Sequence, residues 1–111
     1  MKPLLWSLLL IGSLVLLPAA PRNQTFTGVI TDDMCARAGH ASMQMGPTDA
    51  ECTTACVAIH GASYVLYDGK RAYILSDQRS PEKFAGKKVT VLGSLDAKSG
   101  KIQVDSITAA K

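Results

Sequence analysis

Short segments rich in β-branched and aromatic residues constrain the fold of this 111-residue chain more than any other feature. Turns that contain glycine separate the last four segments. The last two segments alternate apolar with polar residues, which is the pattern of a strand buried on one face. The five segments span residues 25–30, 64–67, 71–75, 88–92 and 101–104. The alternation slips before Ile107, which predicts a β-bulge in the last strand. We therefore expect a mainly β fold.

One predicted helix interrupts the strand pattern. Thr48 and Glu51 form a capping box, in which the Thr48 hydroxyl accepts a hydrogen bond from the backbone N–H of Glu51. Gly61 is suited to the residue that follows a helix. The sequence therefore predicts a helix over about residues 49–60, inserted between strands 1 and 2. Residues 34–47 show no clear period, and we expect a loop there.

The N-terminal segment has the pattern of a signal peptide. Lys2 precedes an apolar run over residues 4–17, and the small residues at 18–20 suit a cleavage site. The run is shorter than the roughly 20 residues that span a membrane as a helix. We predict a signal peptide at residues 1–20 and one exported domain at residues 21–111, with no stable membrane span after cleavage. This predicts a secreted or periplasmic location.

Charge and motif content disfavour several function classes. The chain has 12 Lys and Arg and 9 Asp and Glu, and loss of Lys2 leaves 11 basic residues and a net charge of +2. Together with an aromatic content of 5%, this small charge argues against nucleic-acid binding. No Gly-rich phosphate loop, Ser-centred elbow or Cys-x-x-Cys pair is present, so we expect no enzymatic activity and no catalytic residues.

Several segments resemble a family of small exported bacterial proteins. Residues 64–69, 89–93 and 102–107 are similar to strands of such proteins that have an OB-type barrel. Residues 28–32 with Cys35 resemble the Gly-x-[Val/Ile]-[Ser/Thr]-Asp-x-x-Cys start of uncharacterised secreted or periplasmic members. The resemblance implies a five-stranded, OB-like, partly open barrel, for which no agreed activity exists. OB folds usually place their helix between strands 3 and 4, whereas here it is predicted between strands 1 and 2.

The reactive side chains are concentrated in one part of the sequence. Every cysteine and histidine lies between residues 35 and 60, and the set is Cys35, His40, Cys52, Cys56 and His60. Cys52 and Cys56 are one helical turn apart on one face, and His60 continues that face. Side chains at this spacing have Cβ atoms about 5–6 Å apart, whereas a disulfide needs about 3.8 Å. A disulfide would therefore include Cys35, with Cys52 or Cys56 as its partner.

Two interpretations of this cluster remain open. In the first, a disulfide clamps a non-enzymatic binding module for an unknown small ligand, glycan, peptide or envelope protein. Closing the ring between Cys35 and Cys56 would stabilise the fold by about 3 kcal/mol. In the second, Cys35, His40, Cys52 and Cys56 bind zinc or copper, with His60 as a substitute ligand. The oxidation state of the thiols discriminates between the two interpretations.

Overall fold

The computed structural model describes residues 24–39 and 46–111, together with Gly12. Apart from Gly12, the predicted signal peptide at residues 1–20 lies outside these residues and stays a prediction. Within the described parts of the chain, no helix is both long and apolar enough to cross a membrane. The strands formed there are β1 (Gln24–Asp32), β2 (Tyr64–Tyr67), β3 (Ala72–Ile74), β4 (Lys88–Leu95) and β5 (Ile102–Ala109).

The five strands form one antiparallel sheet in the order β3-β2-β1-β4-β5. The central strand β1 pairs with β2 near its end, where Ile30 lies opposite Leu66, and with β4 near its start, where Phe26 lies opposite Val91. The predicted bulge in the last strand is confirmed, because the pairing with β4 skips Asp105. Strand β4 runs to Leu95, three residues beyond the end of the predicted strand at residue 92.

The sheet is open, and the predicted OB-like barrel is not confirmed. Its edge strands β3 and β5 approach each other only at an isolated parallel bridge between Leu75 and Ile102, among the residues described. There the backbone N–H of Ser76 donates to the carbonyl of Ile102 at 2.9 Å. The Ser76 hydroxyl in turn accepts from the N–H of Val104, also at 2.9 Å. A three-residue β3 is too short to pair along the length of β5.

Helices α1 (Asp33–Ala38) and α2 (Asp49–His60) both lie between β1 and β2. Helix α2 confirms the predicted bounds. The Thr48 hydroxyl accepts from the N–H of Glu51 at 3.2 Å, and Gly61 ends the helix with a left-handed φ of 66°. Helix α1 contradicts the prediction of one helix and of a loop from residue 34. It forms because the Asp32 side chain caps its first N–H groups.

A hydrophobic core stabilises the sheet. Its seven buried members come from four strands and the residue after β3: Ile30, Tyr64, Leu66, Leu75, Val89, Val91 and Ile102. Val57 of α2 packs against this core and so fixes the helix beside the sheet. A second, smaller buried cluster lies apart from it and consists of the three cysteines, with Ala62 packed against them.

Candidate metal centre

Three elements bring the cysteines together. Strand β1 ends at Asp32, and the capped turn that follows places Cys35 on α1. Cys52 and Cys56 lie one turn apart on α2, so their side chains share a helix face, as the spacing predicts. Next to the cluster, the buried hydroxyls of Thr31 and Thr53 lie 3.3 Å apart and tie α2 to β1.

The three thiols form a compact, buried triangle. The Sγ atom of Cys35 lies 3.4 Å from that of Cys52 and 3.8 Å from that of Cys56. All three Sγ atoms lie within 4.8 Å of one another. The cysteines are at most 3% exposed. Cys35 therefore contacts both thiols of α2 in a space that solvent hardly reaches.

The predicted disulfide is not formed. All three cysteines are free, and the shortest sulfur–sulfur distance, 3.4 Å, is far from the roughly 2.05 Å of a bond. Cys35 lies 3.4 Å from Cys52 and 3.8 Å from Cys56, and it is bonded to neither.

Burial and negative charge disfavour the thiolate forms in the metal-free cluster. Burial is the main cause that raises the pKa of Cys35, and the Asp32 carboxylate adds to the effect. Burial also raises the pKa of Cys56, against a smaller lowering by contact with Cys35. These two thiols are therefore protonated near neutral pH. Because metal ions bind thiolates, binding here would release protons, and the apparent affinity would rise with pH.

Asp32 is a buried carboxylate beside the thiols. It is 0% exposed, and its Oδ2 atom accepts from the N–H groups of Met34 at 3.1 Å and Cys35 at 3.0 Å. Its Oδ1 atom is buried with no hydrogen-bond partner. Burial of a carboxylate oxygen without a hydrogen-bond partner costs free energy, so this atom is a candidate for binding a cation or a donor at the site.

The other predicted site residues do not join the triangle in the described structure. His60 is exposed at the end of α2, and the compact group of possible ligands contains the three cysteines without it. The predicted ligand His40 lies outside the described residues, as do Met43 and Met45. Met34 lies on α1 and is half-buried.

Sequence reasoning missed the role of Asp32. In the structure Asp32 caps α1 and accepts a hydrogen bond from the backbone N–H of Cys35. A signal was present, because Asp is a preferred N-cap residue and its side chain accepts from the N–H groups two and three residues further on. Its burial could not be predicted, since burial depends on how α2 packs against the end of β1.

A cleft of about 300 Å³ opens beside the cluster. It is lined by Val29, Thr31, Cys35, Ala36, Gly39, Asp49 and Tyr67. Cys35 is the cysteine that the cluster shares with this cleft. A ligand or ion that reaches the thiols through the cleft therefore meets Cys35 first.

The triangle has the dimensions of a thiolate metal site. A zinc–sulfur bond of about 2.3 Å gives sulfur–sulfur separations of about 3.8 Å in a tetrahedral site. The two separations from Cys35, 3.4 and 3.8 Å, lie within a few tenths of an ångström of that value. Comparison with protein-family models, curated proteins and solved structures finds no match for this chain. The chemical interpretation of the site therefore depends on its geometry alone.

Proposed function

We propose that this chain is a small exported module that binds one zinc or copper ion through Cys35, Cys52 and Cys56. One observation carries the proposal, namely that the three Sγ atoms lie within 4.8 Å of one another. Thiolates are preferred ligands of zinc(II) and copper(I). A metal ion uses all three sulfur atoms, whereas a disulfide would use two and leave one.

The position of the ligands on the chain supports this function. Two of them stand on one rigid helix face, and the third is held by a capped turn at the end of the central strand. A metal site needs ligands that the fold holds in place, and both supports here are independent of the metal. The low exposure of the thiols also shields them from the oxidants of an exported compartment.

The architecture and location belong to the same proposal. The strand order β3-β2-β1-β4-β5 and the parallel bridge between Leu75 and Ile102 support an OB-like barrel that is open along most of its seam. The apolar run at residues 4–17 supports export. The resemblance to small exported bacterial proteins stays a prediction, and so does the absence of enzymatic activity.

A second candidate function is the binding of a small organic ligand in the cleft beside Cys35. The cleft favours this function because its volume of about 300 Å³ lies at the lower end of the range of small-molecule sites. Val29 and Tyr67 line one side with apolar surface, and Asp49 contributes a carboxylate. The two functions are compatible, since the cleft and the thiol triangle share only Cys35.

The deciding experiment is a native intact mass of the protein, exported in its own compartment and purified without reductant or chelator. We expect a mass raised by one zinc or copper ion, and three countable thiols after acid denaturation. Cys56→Ser should lose the ion because it removes one of three ligands. Val57→Ala is the control on the same helix, since Val57 packs against the hydrophobic core and not against the cysteine cluster.

Two outcomes would contradict the proposal. A mass two hydrogens low, with one reactive thiol, would identify a disulfide and refute the metal site. An ion retained by Cys56→Ser would place the metal elsewhere on the chain.

A further inference from the structure

The metal site proposed above uses three cysteines and gives no role to the buried carboxylate of Asp32. Its Oδ2 atom is fully used by the N–H groups of Met34 and Cys35, which fix the side chain at the start of α1. Its Oδ1 atom is buried and has no hydrogen-bond partner. A fold can keep such an atom at low cost only if a cation or a hydrogen-bond donor pairs with it in the functional state.

The carboxylate lies next to the thiol triangle. It contacts Cys35 through the backbone, and its negative charge acts on the thiols of both Cys35 and Cys56. It also lies opposite Tyr64 in the pairing of β1 with β2, which holds the backbone of this residue in the sheet. Asp32 is thus a buried carboxyl group at the edge of a three-sulfur site.

We propose that Asp32 Oδ1 is the fourth ligand of the metal centre, which makes the centre a site of three thiolates and one carboxylate that selects zinc(II) over copper(I). The inference rests on the proposed metal-binding function and specifies its ligand. Zinc(II) takes four ligands in a tetrahedron and accepts carboxylate oxygen beside sulfur. Copper(I) prefers soft sulfur ligands, so an oxygen ligand contributes little to its affinity.

Charge supports the same choice of metal. Three thiolates and one carboxylate carry four negative charges in a site that solvent hardly reaches. A divalent ion offsets two of these charges, whereas a monovalent ion offsets only one. Since an uncompensated buried charge is costly, the carboxylate favours the divalent ion.

Ligation requires a short movement of the carboxylate. The compact group within 4.8 Å contains the three thiols and not Asp32. In a tetrahedral zinc site the oxygen lies about 3.6 Å from each sulfur. Ligation therefore requires rotation of the Asp32 side chain, while its backbone stays paired with Tyr64 in the sheet.

The test compares the affinities of purified protein for zinc(II) and for silver(I), a redox-stable analogue of copper(I). In Asp32→Asn we expect the zinc affinity to fall by more than about 100-fold, which exceeds the 10–100-fold typical of outer-shell partners. The silver affinity should change by less than about threefold. The side-chain amide introduced by Asp32→Asn retains an oxygen that can cap α1, so an intact silver affinity also shows that the thiol triangle is still folded.

Two matched variants complete the design. Asp33→Asn removes the neighbouring carboxylate, whose Oδ1 accepts from the N–H of Ser63 at 3.1 Å, and it should leave both affinities unchanged. His40→Ala removes the imidazole predicted as a ligand, and it should also leave both unchanged. Cobalt(II) bound to the wild-type chain should give the intense visible absorption of a tetrahedral site, and this absorption should weaken in Asp32→Asn.

Each contrary result has a defined meaning. An unchanged zinc affinity in Asp32→Asn, a fall of 100-fold or less, or an equal loss of zinc and silver, would overturn the inference while metal binding itself stood. A large loss of zinc in His40→Ala would assign the fourth position to the imidazole and also overturn it. A wild-type chain that binds neither metal would refute the proposed function as well.

Discussion

The hydrophobic core and the cysteine cluster are both buried, but they are built from different chemistry. The hydrophobic core consists of large apolar side chains from across the sheet, such as Leu66 and Ile102. The cysteine cluster contains three small thiols and adjoins the carboxylate of Asp32. Large apolar side chains stabilise a fold by their own burial, whereas a few thiols next to a carboxylate oxygen without a hydrogen-bond partner contribute little. Under the proposed function, the sheet is therefore stable by itself, and the bound metal ion stabilises the cluster.

Removal of the metal should have the largest effect on the difference between the cysteine cluster and the hydrophobic core. A ligand present at about 1,000 times its dissociation constant stabilises the folded state by about 4 kcal/mol. We expect a chelator to increase amide hydrogen exchange in α1 and α2 and to leave the exchange of Val89 and Val91 in β4 nearly unchanged. In Cys56→Ser the chelator should have no effect. A uniform increase across the sheet would show that the two regions unfold as one unit.

An effect of similar size is expected from a cavity in the hydrophobic core. Leu66→Ala should lower the free energy of unfolding by about 2–5 kcal/mol, because Leu66 is completely buried. Its metal stoichiometry should stay that of the wild type. Denaturant unfolding and native mass measure the two quantities. Ile59→Ala, at a position that is 69% exposed, is the control and should change stability by less than about 0.5 kcal/mol. Loss of the ion in Leu66→Ala would mean that the cluster depends on the core.

The smallest effect concerns an exposed turn on the sheet side. The hydroxyl of Ser80 and the N–H groups of Arg79 and Ser80 hold the pKa of Asp77 below its usual value. The carboxylate therefore adds stability above its unfolded pKa of about 3.9, and this contribution is lost as the pH falls through the lower folded pKa.

Asp77→Asn should accordingly cost at most about 1 kcal/mol at neutral pH, since the half-buried side chain lies in a surface turn where solvent screens its charge. The difference from wild type should shrink to zero in strong acid. Urea unfolding across this pH range measures it. A difference that stayed constant with pH would contradict the role of the charge. The bound ion should be unaffected by this variant at neutral pH.

The parts of the fold that local sequence signals control were predicted well. Strand alternation, the capping of α2 by Thr48 and the bulge at Asp105 depend on neighbouring residues, and all three are confirmed. Helix α1 was missed because six residues next to a glycine give too little periodicity. Closure of the barrel could not be settled from sequence, since it depends on whether the short strand β3 reaches β5.

The candidate site was predicted only in part. The i, i+4 spacing of Cys52 and Cys56 correctly indicates a shared helix face. Both interpretations predicted that Cys35 approaches the thiols of α2, one through a disulfide and the other as a metal ligand, and the structure shows three free thiols. The burial of Asp32 is a tertiary property, so no local pattern distinguishes this carboxylate from an exposed strand terminator.

The short separation of the cysteines along the chain affects the order in which the molecule can assemble. Cys35 is 17 residues from Cys52 and 21 from Cys56, whereas the contact of Leu95 with Gln24 spans 71 residues. Closing the longer loop costs about 1 kcal/mol more in chain entropy than closing the shorter one. If the chain binds an ion as proposed, the three cysteine ligands can therefore come together before β4 has paired with the central strand.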